Sequence, residues 1–268
     1  MELQDLPLPP AICDHLRGEG IERLYPPQAA AVEAGVVDGE NVVAAIPTAS
    51  GKTLVAELAM VTADGPSLYM CPLRALAREK HETFDALPGV DAGLATGEYD
   101  SAAEELAAND VVVATSEKVD SAIRNGASWI DALACVVVDE VHLVESPSRG
   151  ATLEVTVAML RRRAPEAQLV ALSATVANPA AIADWLDAEL VESDWRPIDL
   201  RTGVYADGRV GFDDGSELVI DGWDRKRQEL PADEREGATD DPTRATVAQV
   251  ADAEDGAGQA LPFVRSRR

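Results

Sequence analysis

Ile46-Pro47-Thr48-Ala49-Ser50-Gly51-Lys52-Thr53 is a stretch whose residue types and order suit the binding of a phosphate chain. A short apolar run, Val42 to Ile46, precedes it, and Leu54, Leu58 and Val61 follow at helical spacing. A strand, a tight loop and a helix are therefore expected in that order. Loop amides and the positive end of the helix dipole would then converge on one anion. Pro47, Thr48, Ala49, Ser50 and Gly51 make the cradle, Lys52 adds a point charge, and the Thr53 hydroxyl can reach a Mg²⁺ ion. The pattern departs from the usual phosphate loop in one place, because Ile46 stands where a first glycine is expected. Two further clusters could complete such a site. Asp139-Glu140-Val141-His142 offers a carboxylate for the Mg²⁺ shell (Asp139) and one to polarise an attacking water (Glu140). Ser173-Ala174-Thr175 offers small hydroxyls able to bond the acidic turn, with His142 best placed for coupling rather than acid–base work.

Each cluster ends an apolar run: Val42 to Ile46, Cys135 to Val138, and Gln168 to Leu172. Runs without polar interruption read as strands buried on both faces, the habit of parallel sheets. Ligands of such sheets bind at the carboxyl ends of the strands. Further strands are expected at residues 67–71, closed by Pro72, and at 111–114. Helices are expected around Ile12 and Leu16, and from Pro26-Pro27 through Ala29, Val32 and Val36. Another should carry Val119 and Ile123 with Ser116 as its cap. A stripe of Leu153, Val157 and Leu160 should face the core and end at Arg161-Arg162-Arg163, a solvated terminus. Asn178-Pro179 should open a last helix with Ile182, Trp185 and Leu186 inward. After Arg201 the pattern changes. Val210-Gly211-Phe212 and Leu218-Val219-Ile220 flank a four-residue turn and read as a β-hairpin. Residues 229–243 are polar and acidic and read as a linker.

With these pieces in order, the chain resembles a DExH-box helicase of superfamily 2. It is most similar to the Ski-two-like branch and, within it, to archaeal HelQ-type DNA repair helicases. Leu24-Tyr25-Pro26-Pro27-Gln28 resembles that family's Q motif, which implies that Gln28 reads the adenine edge. Pro72-Leu73-Arg74-Ala75-Leu76-Ala77 resembles motif Ia, Thr96-Gly97-Glu98-Tyr99-Asp100 a loop touching the nucleic-acid backbone, and Thr115-Ser116-Glu117-Lys118 motif Ib. Pro72, Arg74, Gly97, Thr115 and Lys118 are the implied contacts to that backbone. Pro147-Ser148-Arg149-Gly150 is a further trait of the branch, and residues 261–268 look like motif IV. The implied architecture is an α/β RecA-like P-loop NTPase lobe over residues 1–201, with a mostly parallel sheet between helices. A β-hairpin and acidic linker follow at 202–241, and the truncated start of a second RecA-like lobe at 242–268.

Composition constrains the partners. The 268 residues carry 48 acidic against 23 basic side chains, a formal net charge of −25, which is at odds with a phosphate-backbone ligand. Lysine is limited to Lys52, Lys80, Lys118 and Lys226. An acid-rich, lysine-poor surface is the pattern expected of a protein working at very high salt, where screening makes self-repulsion tolerable. No apolar run approaches the ~18 residues that cross a bilayer, and no signal sequence is visible, so a cytoplasmic location is expected. Cys13, Cys71 and Cys135 lack metal-ligand spacing, and Cys71 and Cys135 lie in apolar runs as small hydrophobes.

The resemblance implies the ATP-binding first lobe of a helicase that unwinds DNA 3′ to 5′, using ATP and Mg²⁺ and acting on single-stranded or forked DNA. It also implies a missing second lobe and accessory domains as partners, and a monomer. Because second-lobe arginines complete the ATP site in this family, feeble turnover and no unwinding are expected of the chain alone. Three other readings stand beside it: a Ski-like RNA helicase lobe, a stand-alone nucleotide-responsive module paired with a separate second-lobe chain, and a small-molecule kinase. The Ser-Ala-Thr loop and the Q motif argue against the last.

Overall fold

The computed structural model describes residues 1–97, 103–174, 178–198, 202–206 and 209–219. Thr175, residues 98–102 of the backbone loop, the acidic linker and residues 242–268 lie outside the described residues. The chain divides into two units, Met1–Pro197 and Ile198–Arg268.

The first unit alternates helix and strand from end to end. In chain order it contains α1 (Pro10–Gly18), α2 (Pro26–Glu33), β1 (Val42–Ala45), α3 (Lys52–Thr62), β2 (Ser67–Cys71) and α4 (Arg74–Asp85). These are followed by β3 (Ala92–Ala95), α5 (Ala103–Leu106), β4 (Val111–Thr115), α6 (Ser116–Arg124), β5 (Cys135–Val138), α7 (Gly150–Arg163), β6 (Gln168–Ser173), α8 (Pro179–Leu186) and β7 (Glu189–Glu192). The seven strands form one sheet in the order β3-β4-β2-β5-β6-β1-β7, and every pairing in it is parallel. Alternate residues of each central strand enter opposite cores. Tyr69, Cys71, Cys135 and Val137 join Leu58 and Phe84 on one face. Leu68, Met70, Val136 and Val138 join Ile123, Leu153 and Leu160 on the other. That double burial is why these strands read as unbroken apolar runs. Cys13, Cys71 and Cys135 are free and buried, and burial pushes the Cys71 and Cys135 thiols up to about 12. Among the described residues, no helix is long and apolar enough to cross a membrane.

Three local expectations need correction. The helix from Pro26 stops at Glu33 rather than reaching Val36. Gly35, at φ 91°, turns left-handed, and Val36 N–H folds back onto Ala31 O at 3.1 Å. This is a Schellman closure, so Val36 is buried although it is outside the helix. The capping position of α6 falls on Thr115, not Ser116, because β4 runs into the helix with no loop between, and no side chain caps it. The arginines ending α7 are also not simply solvated. Arg163 pairs with Asp131, holding that carboxyl below its ordinary range, and Arg161 donates to Trp185 O at 2.9 Å.

The second unit, by itself, contains β8 (Gly203–Ala206), β9 (Arg209–Phe212) and β10 (Glu217–Val219) in one antiparallel sheet. The expected hairpin is β9–β10, and β8 adds a third strand beside β9.

Candidate nucleotide site and adjoining cleft

β1, β6 and β5 are consecutive neighbours in the sheet, so the loops leaving their carboxyl ends emerge side by side. The first carries Lys52 and Thr53, the second Ser173, the third Asp139, Glu140 and His142. Ile46, the departure from the glycine pattern, is fully buried, and its N–H extends the strand to Ser173 O at 3.2 Å. The turn itself begins later: Ala49 at φ 66° and Gly51 at φ 75° are both left-handed. Pro47 and Ser50 are buried, Thr48 and Ala49 exposed. Gly51 sits immediately before α3, whose amino end therefore faces the loop.

The Lys52 ammonium is buried and has no hydrogen-bond partner among the described residues. An unpaired buried cation is costly and calls for an anion, and a loop of turned amides at a helix amino end fits a phosphate. Thr53 Oγ1 and the Asp139 carboxylate are hard oxygen donors of the kind Mg²⁺ takes alongside phosphate oxygens. On both counts the residues fit the nucleotide–metal pair.

The acidic turn is held from several sides. Asp139 N–H donates to Met70 O at 2.8 Å, and its carboxylate accepts from the Tyr69 hydroxyl at 2.7 Å and from Glu140 N–H at 3.0 Å. Burial and the adjacent Asp139 charge push the Tyr69 phenol upward, so it stays a donor. Glu140 takes a left-handed φ of 52°, uncommon for a non-glycine residue and a frequent mark of functional turns. Its carboxylate lies 3.3 Å from His142 Nδ1, which lies 3.5 Å from Ser173 Oγ. The acidic turn and the hydroxyl loop thus meet through His142.

Gln28 is turned inward at 4% exposure. Its oxygen accepts from Tyr25 N–H at 2.8 Å and its nitrogen donates to Gly51 O at 3.1 Å. The side chain fastens the phosphate loop to α2, keeping one N–H and one lone pair for anything else. A second tether comes from the end of this unit. Ser50 Oγ donates to Trp195 O at 2.9 Å, Arg196 donates to Thr48 O at 3.2 Å, and the Trp195 ring lies 4.7 Å from that of Tyr25.

The expected nucleic-acid residues converge as well. Pro72, Arg74, Gly97, Thr115 and Lys118, from the loops after β2, β3 and β4, all line one cleft of about 540 Å³. Leu73, Thr96, Glu117, Ser121 and Arg149 complete its wall, and the buried Thr96 hydroxyl has no hydrogen-bond partner among the described residues. A narrower crevice beside it, lined by Asp139, shares Pro72, Glu117 and Arg149 with the cleft wall. Arg149 also donates to Pro72 O at 3.3 Å. Residues the sequence reading missed include Tyr69, Lys80, Trp195 and Arg196. Tyr69 is polar within an apolar strand, which is a weak signal. Lys80 is one of only four lysines, a stronger one.

Comparison with known proteins gives the family. The chain is 51% identical over 222 residues to the ATP-dependent DNA helicase Hel308 of Methanocella arvoryzae, covering 79% of this chain and 30% of that protein. It is 44% identical over 271 residues to Hel308 of Pyrobaculum calidifontis, covering 100% of this chain and 36% of the relative. The chain thus spans about a third of the length of these relatives. Among solved structures, Mycobacterium smegmatis helicase Lhr bound to ssDNA and AMP-PNP superposes with a TM-score of 0.60 at 26% identity, over 73% of this chain and 28% of that one. The family described as DEAD/DEAH box helicase matches residues 25–182. A phosphate loop, an acidic turn and a hydroxyl loop on adjacent strands, within a matched span covering more than half its length, place this chain in the DEAD/DEAH box helicase family.

Proposed function

We propose that this chain is the ATP-binding motor lobe of an ATP-dependent DNA helicase of the Hel308 kind, with the lobe spanning residues 1–201. One observation carries the reading. The phosphate loop, acidic turn and hydroxyl loop follow β1, β5 and β6, the cleft loops follow β2, β3 and β4, and all leave the carboxyl edge of one parallel sheet. A nucleotide and a strand of nucleic acid can therefore act on the same row of strand tips.

In this reading Lys52 neutralises phosphate charge while Thr53 and Asp139 hold Mg²⁺, with Tyr69 fixing the carboxylate. Glu140 orients water, its carboxylate set by His142. Gln28 keeps the phosphate loop in place, and its remaining N–H and lone pair suit an adenine edge. Ser173 and His142 link the acidic turn to the loop beside it, and Thr175 belongs with them by sequence. Bound Mg·ATP supplies the phosphoanhydride whose cleavage drives the motor. Arg74, Gly97, Thr115 and Lys118 grip the strand through its sugar–phosphate backbone, which positions without reading sequence. A second motor lobe and accessory domains, single-stranded or forked DNA, and 3′-to-5′ movement complete the proposal.

The test is direct binding of a fluorescent Mg·ATP analogue and of labelled single-stranded DNA. Lys52→Ala is expected to weaken nucleotide binding by at least about tenfold, the loss of a charge-assisted phosphate contact, and to leave DNA affinity within about twofold. Arg74→Ala is expected to do the reverse. Nucleotide affinity untouched by Lys52→Ala would overturn the reading, and tighter binding of RNA than of DNA would turn it toward an RNA motor.

A further inference from the structure

Lys80 stands two turns into α4, on a helix whose first residue, Arg74, lines the cleft. Its side chain is only 13% exposed, and its ammonium donates to Thr53 Oγ1 at 2.9 Å. Thr53 is the hydroxyl that fits the metal. Glu79 Oε1 lies 3.7 Å from the same ammonium. Lys80 is thus a largely buried cation held between a neutral hydroxyl and one carboxylate.

A threonine oxygen has two lone pairs, and here Lys80 uses one. A divalent cation on the same oxygen would lie within a few ångströms of the ammonium, in a partly buried site where like charges repel strongly. Glu79 offers the ammonium a nearby alternative. Because Lys80 and Arg74 belong to one helix, six residues and ~9 Å apart along its axis, displacement of one is felt at the other.

We propose that Lys80 is a positioning residue that competes with the metal for the Thr53 hydroxyl and so ties α4, and with it the Arg74 end of the cleft, to the nucleotide state. The idea rests on the motor reading above but asks more of the chain than that reading does. Thr53 has two alternative partners, Lys80 and the metal, and exchange between them shifts α4.

The experiment titrates Mg²⁺ into the chain with a fluorescent ADP analogue and follows binding rather than turnover. Lys80→Met is expected to lower the Mg²⁺ concentration for half-maximal nucleotide binding by about three- to tenfold and to leave nucleotide affinity in EDTA unchanged. Lys80→Arg should restore the wild-type half-point. The change in single-stranded DNA affinity on adding Mg·nucleotide should shrink in Lys80→Met. In the wild-type chain, Mg·nucleotide should speed amide hydrogen exchange in α4, a readout that stands even where the Met variant folds poorly. An unchanged or raised Mg²⁺ half-point in Lys80→Met, or unaltered α4 exchange in the wild type, overturns the proposal while leaving the motor reading intact. Failure of the wild type to bind Mg·nucleotide overturns both.

Discussion

Glu57 is a carboxylic acid on the wrong side of a helix. Burial, reinforced by the Glu19 charge and opposed by Lys80, pushes it up from 4.5 to about 7. The folded chain therefore keeps a proton that the unfolded chain has already released. Stability is full below about pH 4.5, falls as pH rises toward about 7, and is level above that. At ~1.4 kcal/mol per unit the loss is on the order of 3 kcal/mol at most, less whatever solvent screening its partial exposure allows. Glu57→Gln removes the titrating group while keeping the shape. Its melting temperature is expected to exceed that of the wild type by several degrees at pH 8 and to match it near pH 4.5, given about 2–4 °C per kcal/mol in a chain of this size. A parallel shift at both pH values would show that folding leaves the affinity of Glu57 for its proton unchanged. Nothing in the sequence around Glu57 announces this, because the main cause is tertiary burial, with the Glu19 charge from another helix adding to it. The positions of Lys52, Asp139 and Glu140 just beyond strand ends were legible because their spacing from an apolar run is itself the signal. Tyr69 and Lys80 act across the sheet and between helices, where linear spacing carries no information.

Gly150 shows how one residue fixes the join between two elements. The 3-10 turn Val141–Glu145 doubles back so that Val144 O faces the first residue of α7. A Cβ at position 150 would sit 2.0 Å from that carbonyl oxygen and 2.8 Å from its carbon. Backbone cannot swing aside as a side-chain tip can, so the acidic turn or the helix must move. Gly150→Ala is expected to cost at least ~3 kcal/mol, at the top of the overpacking range, measured as urea unfolding with an unchanged slope. Gly18→Ala, whose added methyl meets nothing within 4 Å, should be neutral or slightly stabilising. Equal effects of the two would show that the crowding at Gly150 relaxes freely. The same physics explains which elements could be read in advance. β1, β2, β4, β5 and β6 lie inside the sheet, and their apolar runs say so. β3 and β7 are its edges, and β7, with Glu189 and Glu192 exposed, has no such run. Helix α4 is obscured by its charge: six of its twelve residues are Arg74, Arg78, Glu79, Lys80, Glu82 and Asp85, and only Ala77 and Phe84 are buried.

The net charge of −25 belongs to no single site, and its consequence is a property of the chain in its solvent. With 48 acidic and 23 basic residues, at least 25 carboxylates have no basic partner even if every Lys and Arg is paired. Exposed pairs such as Arg124–Asp120 and Arg209–Glu217 contribute little each and weaken in salt. Repulsion among the surplus carboxylates weakens too, and it involves more charges, so the balance favours salt. The Debye length falls from ~10 Å near 0.1 M to ~3 Å near 1 M, so relief of repulsion should be almost complete by the latter. The melting temperature is therefore expected to climb by several degrees between about 0.1 M and about 1 M KCl. Any further rise toward about 3 M would mark the strengthened burial of apolar surface by excluded salts rather than screening, and potassium sulfate, more strongly excluded than chloride, should then exceed KCl. If Arg74 and Lys118 grip a phosphate backbone as proposed, screening carries an opposite cost at the cleft, and that grip should weaken as salt rises. Stability rising while DNA affinity falls over the same titration is the paired outcome expected of this charge distribution. Equal or greater stability at low salt would mean that the surplus carboxylates are already accommodated by the fold.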